Sequence, residues 1–189
     1  MRRAERPILF DTPAGFDDPL EMLLGCHRRI EKQLGTLKRL RAHVAENGVD
    51  AEASAAAQAV LKYFRMAAVN HHMDEERDLF PLLAARITDE GERHRFEAFR
   101  NALETEHREL DAAWGRLRKP LEGIAEGLTR QLPPDDVHAF VGAYTRHILV
   151  EETTLKEFFD RWLGDEDRAV LGRSMAARRT LSPPGGAAL

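Results

Sequence analysis

A chain of 189 residues, 43% apolar and 32% charged, is long enough to bury one sizeable core, too short for two full domains, and without the polar bias of an extended disordered chain. Its formal net charge of −4 offers no concentrated basic surface for phosphate, which excludes nucleic acid as an expected partner. The single cysteine, Cys26, excludes an internal disulfide and any Cys-rich zinc or iron–sulfur site, and points to a reducing compartment.

Residues 1–18 read as an N-terminal arm, interrupted by Pro7, Pro13 and Gly15, whose Ile8, Leu9, Phe10 and Phe16 are available to pack on a body. Asp18 suits an N-cap, Pro19 the first helical position, and Glu21 completes something close to a capping box, so the first helix starts there. Its apolar stripe, Leu20, Leu23, Ile30, Leu34, Leu37 and Val44, runs until Asn47-Gly48. A second helix is predicted over about 51–87, striped by Leu61, Phe64, Ala68, Leu79 and Leu82 and expected to kink at Pro81. The turn Thr88-Asp89-Glu90-Gly91 leads to a third, striped by Phe96, Phe99, Leu103, Leu110, Trp114, Leu117 and Leu121, with Pro120, Gly123 and Gly127 weakening its end.

Pro133-Pro134-Asp135 opens the fourth helix, striped by Val137, Phe140, Tyr144, Ile148, Leu155, Phe158 and Trp162 and closed by Gly164. A short fifth helix over roughly 166–179 precedes the tail SPPGGAAL, which is expected to fray. The expected fold is therefore all-α: an up-down-up-down four-helix bundle over 19–164, with the arm 1–18 before it and a short helix and flexible tail over 165–189. No run approaches the roughly 20 apolar residues of a membrane helix, and the opening MRRAERPILFDTP lacks the apolar region of a secretory signal. A cytoplasmic protein with no membrane partner is expected.

Two segments repeat one pattern. His71 to Leu79 and His147 to Leu155 both read HxxxEExxL. A His and a Glu four apart share a helix face, so His71 with Glu75, and His147 with Glu151, can reach one metal site from inside their apolar stripes. His27 and His107 continue the inward stripes of the other two helices. In an antiparallel bundle, residues at one height lie symmetrically about the turn that joins their helices. Positions 27 and 71 are centred on 49, 71 and 107 on 89, and 107 and 147 on 127, each in or beside an expected connection. His43, His94 and His138 fall far from that level and read as surface residues. His72 and Glu76 form a competing pair on the adjacent face; His71 and Glu75 are preferred because they continue the apolar stripe. Glu31 and Asp111, four residues after His27 and His107, read as solvated charges.

Four imidazoles and two carboxylates, His27, His71, Glu75, His107, His147 and Glu151, are too many for one zinc ion, which closes at four ligands. They suit two ions bridged by the carboxylates, and an imidazole-rich mixed set favours iron. The expected cofactor is a non-haem di-iron centre with an open position for dioxygen, nitric oxide or peroxide. Tyr144, one turn before His147, is expected either to bond a carbonyl or a carboxylate behind the ligands, or to reach the open position.

With one His on the first helix, HxxxE on the second, one His on the third and HxxxE on the fourth, the chain resembles the hemerythrin-like (HHE cation-binding) family over about residues 16–163. EERDLFPLL after the first pair looks like that family's usual continuation. Oxygen carriers of the family have a second histidine four residues after the first on the third helix, where this chain has Asp111. The resemblance therefore implies a di-iron protein that binds a small ligand in sensing or stress response, with turnover not its main role and no catalytic residue assigned. The alternatives are a di-iron oxidase or peroxidase, and an iron-centre repair protein; repair proteins carry a Cys-containing N-terminal segment that this arm lacks. Ferritin-like oxidases use a pair of ExxH motifs, and this level carries only one, Glu104-x-x-His107 on the third helix.

Overall fold

The computed structural model describes residues 18–181; residues 1–17 of the expected arm, with its apolar side chains, and the tail after Leu181 lie outside the described residues. The described residues form five helices and no strand. Helix α1 is Pro19–Asn47. Helix α2 joins an α segment Ala51–Met73, a π turn Asp74–Leu79 and a second α segment Phe80–Arg86. Helix α3 is Glu90–Ala125. Helix α4 is likewise composite: Pro134–Val150, a π turn Glu151–Leu155, and Lys156–Trp162. Helix α5 is Asp165–Leu181.

Aspartates start three of these helices. The carboxylate of Asp18 accepts the Glu21 N–H at 3.0 Å, that of Asp50 the Ala53 N–H at 2.8 Å, and that of Asp89 the Glu92 N–H at 2.8 Å. Each such cap is worth about 1 kcal/mol. The end of α3 differs from expectation. The helix runs through Pro120 to Ala125, and its glycines close it rather than loosen it. Gly127, at φ +74°, donates to the Ile124 carbonyl at 3.1 Å while Leu128 donates to that of Gly123 at 2.8 Å, the paired bonds of a left-handed helix stop. A Cβ at Gly123 would stand 2.5 Å from Thr129 Cγ2, so any larger residue there would force the Thr129 side chain to shift.

Pro81 falls at the second residue of the resumed α segment of α2, just after a π turn in which the Phe80 N–H reaches the Glu75 carbonyl. The same i→i+5 bond occurs in α4, where the Lys156 N–H reaches the Glu151 carbonyl, and no proline stands in that segment. The proline is thus not the common cause. What the two π turns share is the repeated HxxxEE, and π turns concentrate at functional sites.

Helix α1 packs against α2 and α4, α2 against α3, α3 against α4, and α5 against α1 and the π turn of α2. The buried apolar residues fall into two clusters. One gathers Ile30, Leu37, Phe64, Leu110, Leu117 and Phe140; the other Leu23, Leu79, Phe96, Leu103, Leu155 and Phe158. Each fully buried Leu or Phe contributes about 1.5–3 kcal/mol relative to exposure. The four long helices cross from cluster to cluster in alternating order, and the histidines and glutamates of the sequence motifs lie at the seam. Helix α5 adds Leu171 and Met175 to the second cluster, and Arg86 of α2 grips Asp167 of α5 at 2.7 and 2.9 Å.

Candidate metal centre

On every one of the four helices the step between clusters falls at a motif residue: His27 between Leu23 and Ile30, His71 and Glu75 between Ala68 and Leu79, His107 between Leu103 and Leu110, His147 and Glu151 between Tyr144 and Leu155. All six side chains are buried. They meet in two groups of potential ligands, His27 with His71, Glu75 and Glu151, and His107 with His147 and His72.

The two carboxylates span those groups. Glu75 Oε1 lies 3.4 Å from His71 Nε2 while its Oε2 lies 3.5 Å from His107 Nε2. Glu151 Oε2 lies 3.0 Å from His27 Nε2 and 3.9 Å from His71 Nε2; its Oε1 lies 3.0 Å from His147 Nε2 and 3.7 Å from His107 Nε2. Each glutamate therefore turns one oxygen to each group.

Three of the histidines are aimed from behind. His27 Nδ1 donates to Glu152 at 3.1 Å, His107 Nδ1 to Glu76 at 2.6 Å, and His147 Nδ1 to Glu106 at 2.8 Å. A carboxylate that takes the Nδ1 hydrogen leaves the lone pair on Nε2, pointed at the centre, and raises its basicity. In both HxxxEE repeats the first glutamate turns inward and the second crosses to the histidine of a neighbouring helix. Glu106, the residue before His107, performs the same task for α4.

The electrostatics are those of a site built around positive charge. Burial, and then the nearby Glu151, push the Glu75 carboxyl well above the usual carboxylate range. Burial acts upward on Glu151 too, but His107, His147 and His27 close around it and hold it well below that range. Burial, then neighbouring imidazoles, drive His71 and His72 well below the ordinary histidine value. On His147 burial is outweighed by Glu151 and Glu106, which raise it. The donor set fits cations. Both oxygens of Glu75 and of Glu151, and Nε2 of His72, His107 and His147, are buried without a hydrogen bond of acceptable geometry, and Nε2 of His27 and His71 face each other at 3.1 Å. Converging lone pairs and carboxylate oxygens of this kind are a cost unless a cation accepts them.

On the His27 side the centre meets a small cavity of about 10 Å³ walled by Leu20, Leu23, Leu24, Leu155 and Phe159. Tyr144 is buried on the other side, packed on Phe64 and Phe140, its ring 6.2 Å from that of His147 and 6.1 Å from that of His72.

Of the histidines set aside on sequence grounds, His94 and His138 are exposed and His43 pairs with Asp50 at 2.9 Å. Glu31 and Asp111 are exposed. The competing pair His72 and Glu76 does not form, since Glu76 serves His107. His72 is nevertheless buried, its ring stacked on that of His107 with centroids 4.0 Å apart. The apolar stripe makes the two adjacent histidines rivals, and the structure buries both. Glu106 and Glu152 have no place in that stripe; for Glu152 the second Glu of the repeat is the available signal, and for Glu106 the sequence offers none.

Helices that present imidazoles and carboxylates to one buried point define a helical cation-binding domain. The chain belongs to the hemerythrin HHE cation binding domain family, which it matches over residues 18–159. It is also similar to an uncharacterized protein of Haemophilus influenzae, 29% identical over 166 residues that cover 88% of this chain and 92% of the relative. No helix among the described residues is long and apolar enough to cross a membrane.

Proposed function

We propose that this chain is an up-down-up-down four-helix bundle that holds two iron ions, one at His27 and His71, the other at His107 and His147, with Glu75 and Glu151 bridging them. The observation that carries the reading is the division of the two carboxylates, each with one oxygen toward each imidazole group. The alternating passage of α1 to α4 between the two apolar clusters supports the topology. Iron supplies two stable valences and coordination positions open to dioxygen, nitric oxide or peroxide. The protein's own part is to orient the imidazoles through Glu76, Glu106 and Glu152 and to keep bulk water out with leucine and phenylalanine walls. This is the work of a cytoplasmic ligand-binding or sensing protein in a stress response.

Iron analysis of the purified, iron-loaded chain tests the centre: about two irons per chain are expected, and one tightly held zinc with no iron overturns it. Spectral titration with dioxygen or nitric oxide, beside a steady-state peroxide assay, tests the role. Stoichiometric spectral change without turnover is expected. Sustained peroxide consumption assigns the oxidase or peroxidase reading instead.

A further inference from the structure

We propose that His72 is a seventh protein ligand, a third imidazole for the ion at His107 and His147, so that the two ions are held unequally. The inference rests on the two-ion reading above and goes beyond its six residues.

His72 does not behave as a satisfied core histidine. It is buried, and its Nε2 has no hydrogen-bond partner, which costs about 1–3 kcal/mol if nothing else is bound there. Glu76, the carboxylate one turn away on its own helix, is committed to His107 Nδ1 at 2.6 Å. Nor does His72 duplicate His71. His71 turns toward α1, its Nε2 3.1 Å from His27 Nε2, whereas His72 turns toward α3 and α4, its ring 4.0 Å from that of His107 and 5.9 Å from that of His147. Ligand atoms of His72, His107 and His147 all lie within 4.8 Å of one another. The His72 and His107 rings are stacked 10° from parallel, so His72 would have to turn about its side-chain torsions to bring a ring nitrogen onto the same ion.

The result is three imidazoles on one ion and two on the other, with both carboxylates shared. The ion with fewer nitrogens is the one at His27 and His71. That is the side on which the small apolar cavity lies. Position 111 on α3 carries an aspartate, exposed to solvent; the fifth imidazole comes from α2 instead, next to His71.

The test uses the full chain loaded with ferrous iron, in three forms: wild type, His72→Phe and His72→Gly. His72→Phe keeps a flat ring against His107 and so preserves packing. Circular dichroism and thermal unfolding check that it folds. Expected is tenfold or greater weakening of one ion with the other retained, read as iron falling from about two to about one per chain after desalting and as loss of one of two Mössbauer doublets. In His72→Gly, free imidazole in the buffer should restore the second iron and its doublet, which a purely structural role for His72 does not predict. A folded His72→Phe protein with about two irons and wild-type Mössbauer parameters overturns the assignment of His72 and leaves the six-residue centre standing. A wild-type chain that binds no iron pair overturns both.

Discussion

Oε1 of Glu76 on α2 lies 2.6 Å from Nδ1 of His107 on α3, while Glu75, one residue earlier, turns the other way into the centre. Adjacent carboxylates thus serve opposite ends of the same imidazole. On the proposed two-ion centre, this arrangement makes Glu76 a determinant of metal affinity although it reaches no ion.

Glu76→Gln should weaken iron binding by about 10–100-fold with little effect on the fold, because the amide no longer draws the Nδ1 hydrogen as a carboxylate does. Competition with a chelator of known affinity measures it. Glu152→Gln should act in the same sense through His27. His43→Ala, whose partner is Asp50 near the α1–α2 turn, should leave affinity unchanged.

If Glu75 and Glu151 bridge two ions as proposed, the carboxylates and the histidines should fail differently. Glu151→Ala removes an oxygen from both groups and should cost both ions, whereas His27→Ala should cost mainly the ion at His27 and His71. Iron counted per chain after desalting distinguishes the two. Retention of a full iron pair by Glu151→Ala would contradict a bridge.

Acid should release the ion held by His71 below, and not at, the ordinary imidazole value of about 6.5. Burial and then its imidazole neighbours depress His71. A depressed imidazole keeps its lone pair as pH falls through the ordinary value, so protons compete for it only at lower pH. Iron retained after dialysis at stepped pH gives the midpoint. A midpoint above 6.5 contradicts the sign, and full retention near pH 4 contradicts a histidine-held site.

Helix α5 should stabilise the centre from outside. Asp74, fully buried and next to Glu75, accepts from Arg178 Nε at 2.9 Å and Arg179 Nη2 at 2.7 Å, and Arg178 also reaches Asp78. Replacing both arginines by Ala leaves a buried carboxylate without its cations, a loss of about 3–5 kcal/mol. Thermal unfolding of the iron-loaded chain should show a lowered Tm, and the double variant should lose iron faster to a chelator. An unchanged Tm would mean that water replaces the arginines.

Much of this centre is legible along the chain because a helix repeats. Four residues is nearly one turn, so HxxxE commits His71 with Glu75, and His147 with Glu151, to shared faces before any packing is known. Asp18, Asn47-Gly48 and Pro134 mark helix ends by backbone chemistry that acts within a few residues. The level shared by His27, His71, His107 and His147 follows from counting across short connections. A stripe, however, names one direction per helix. Adjacent residues point about 100° apart, and α2 is covered on two sides, by α1 and by α3. His71 is therefore buried toward one neighbour and His72 toward the other, a distinction that exists only once three helices are packed. The partners of Glu76, Glu106 and Glu152 were hidden for the same reason. Each bonds a histidine on another helix, and that distance depends on how far the packed helices are rotated and slid against one another, which no period within a single helix records.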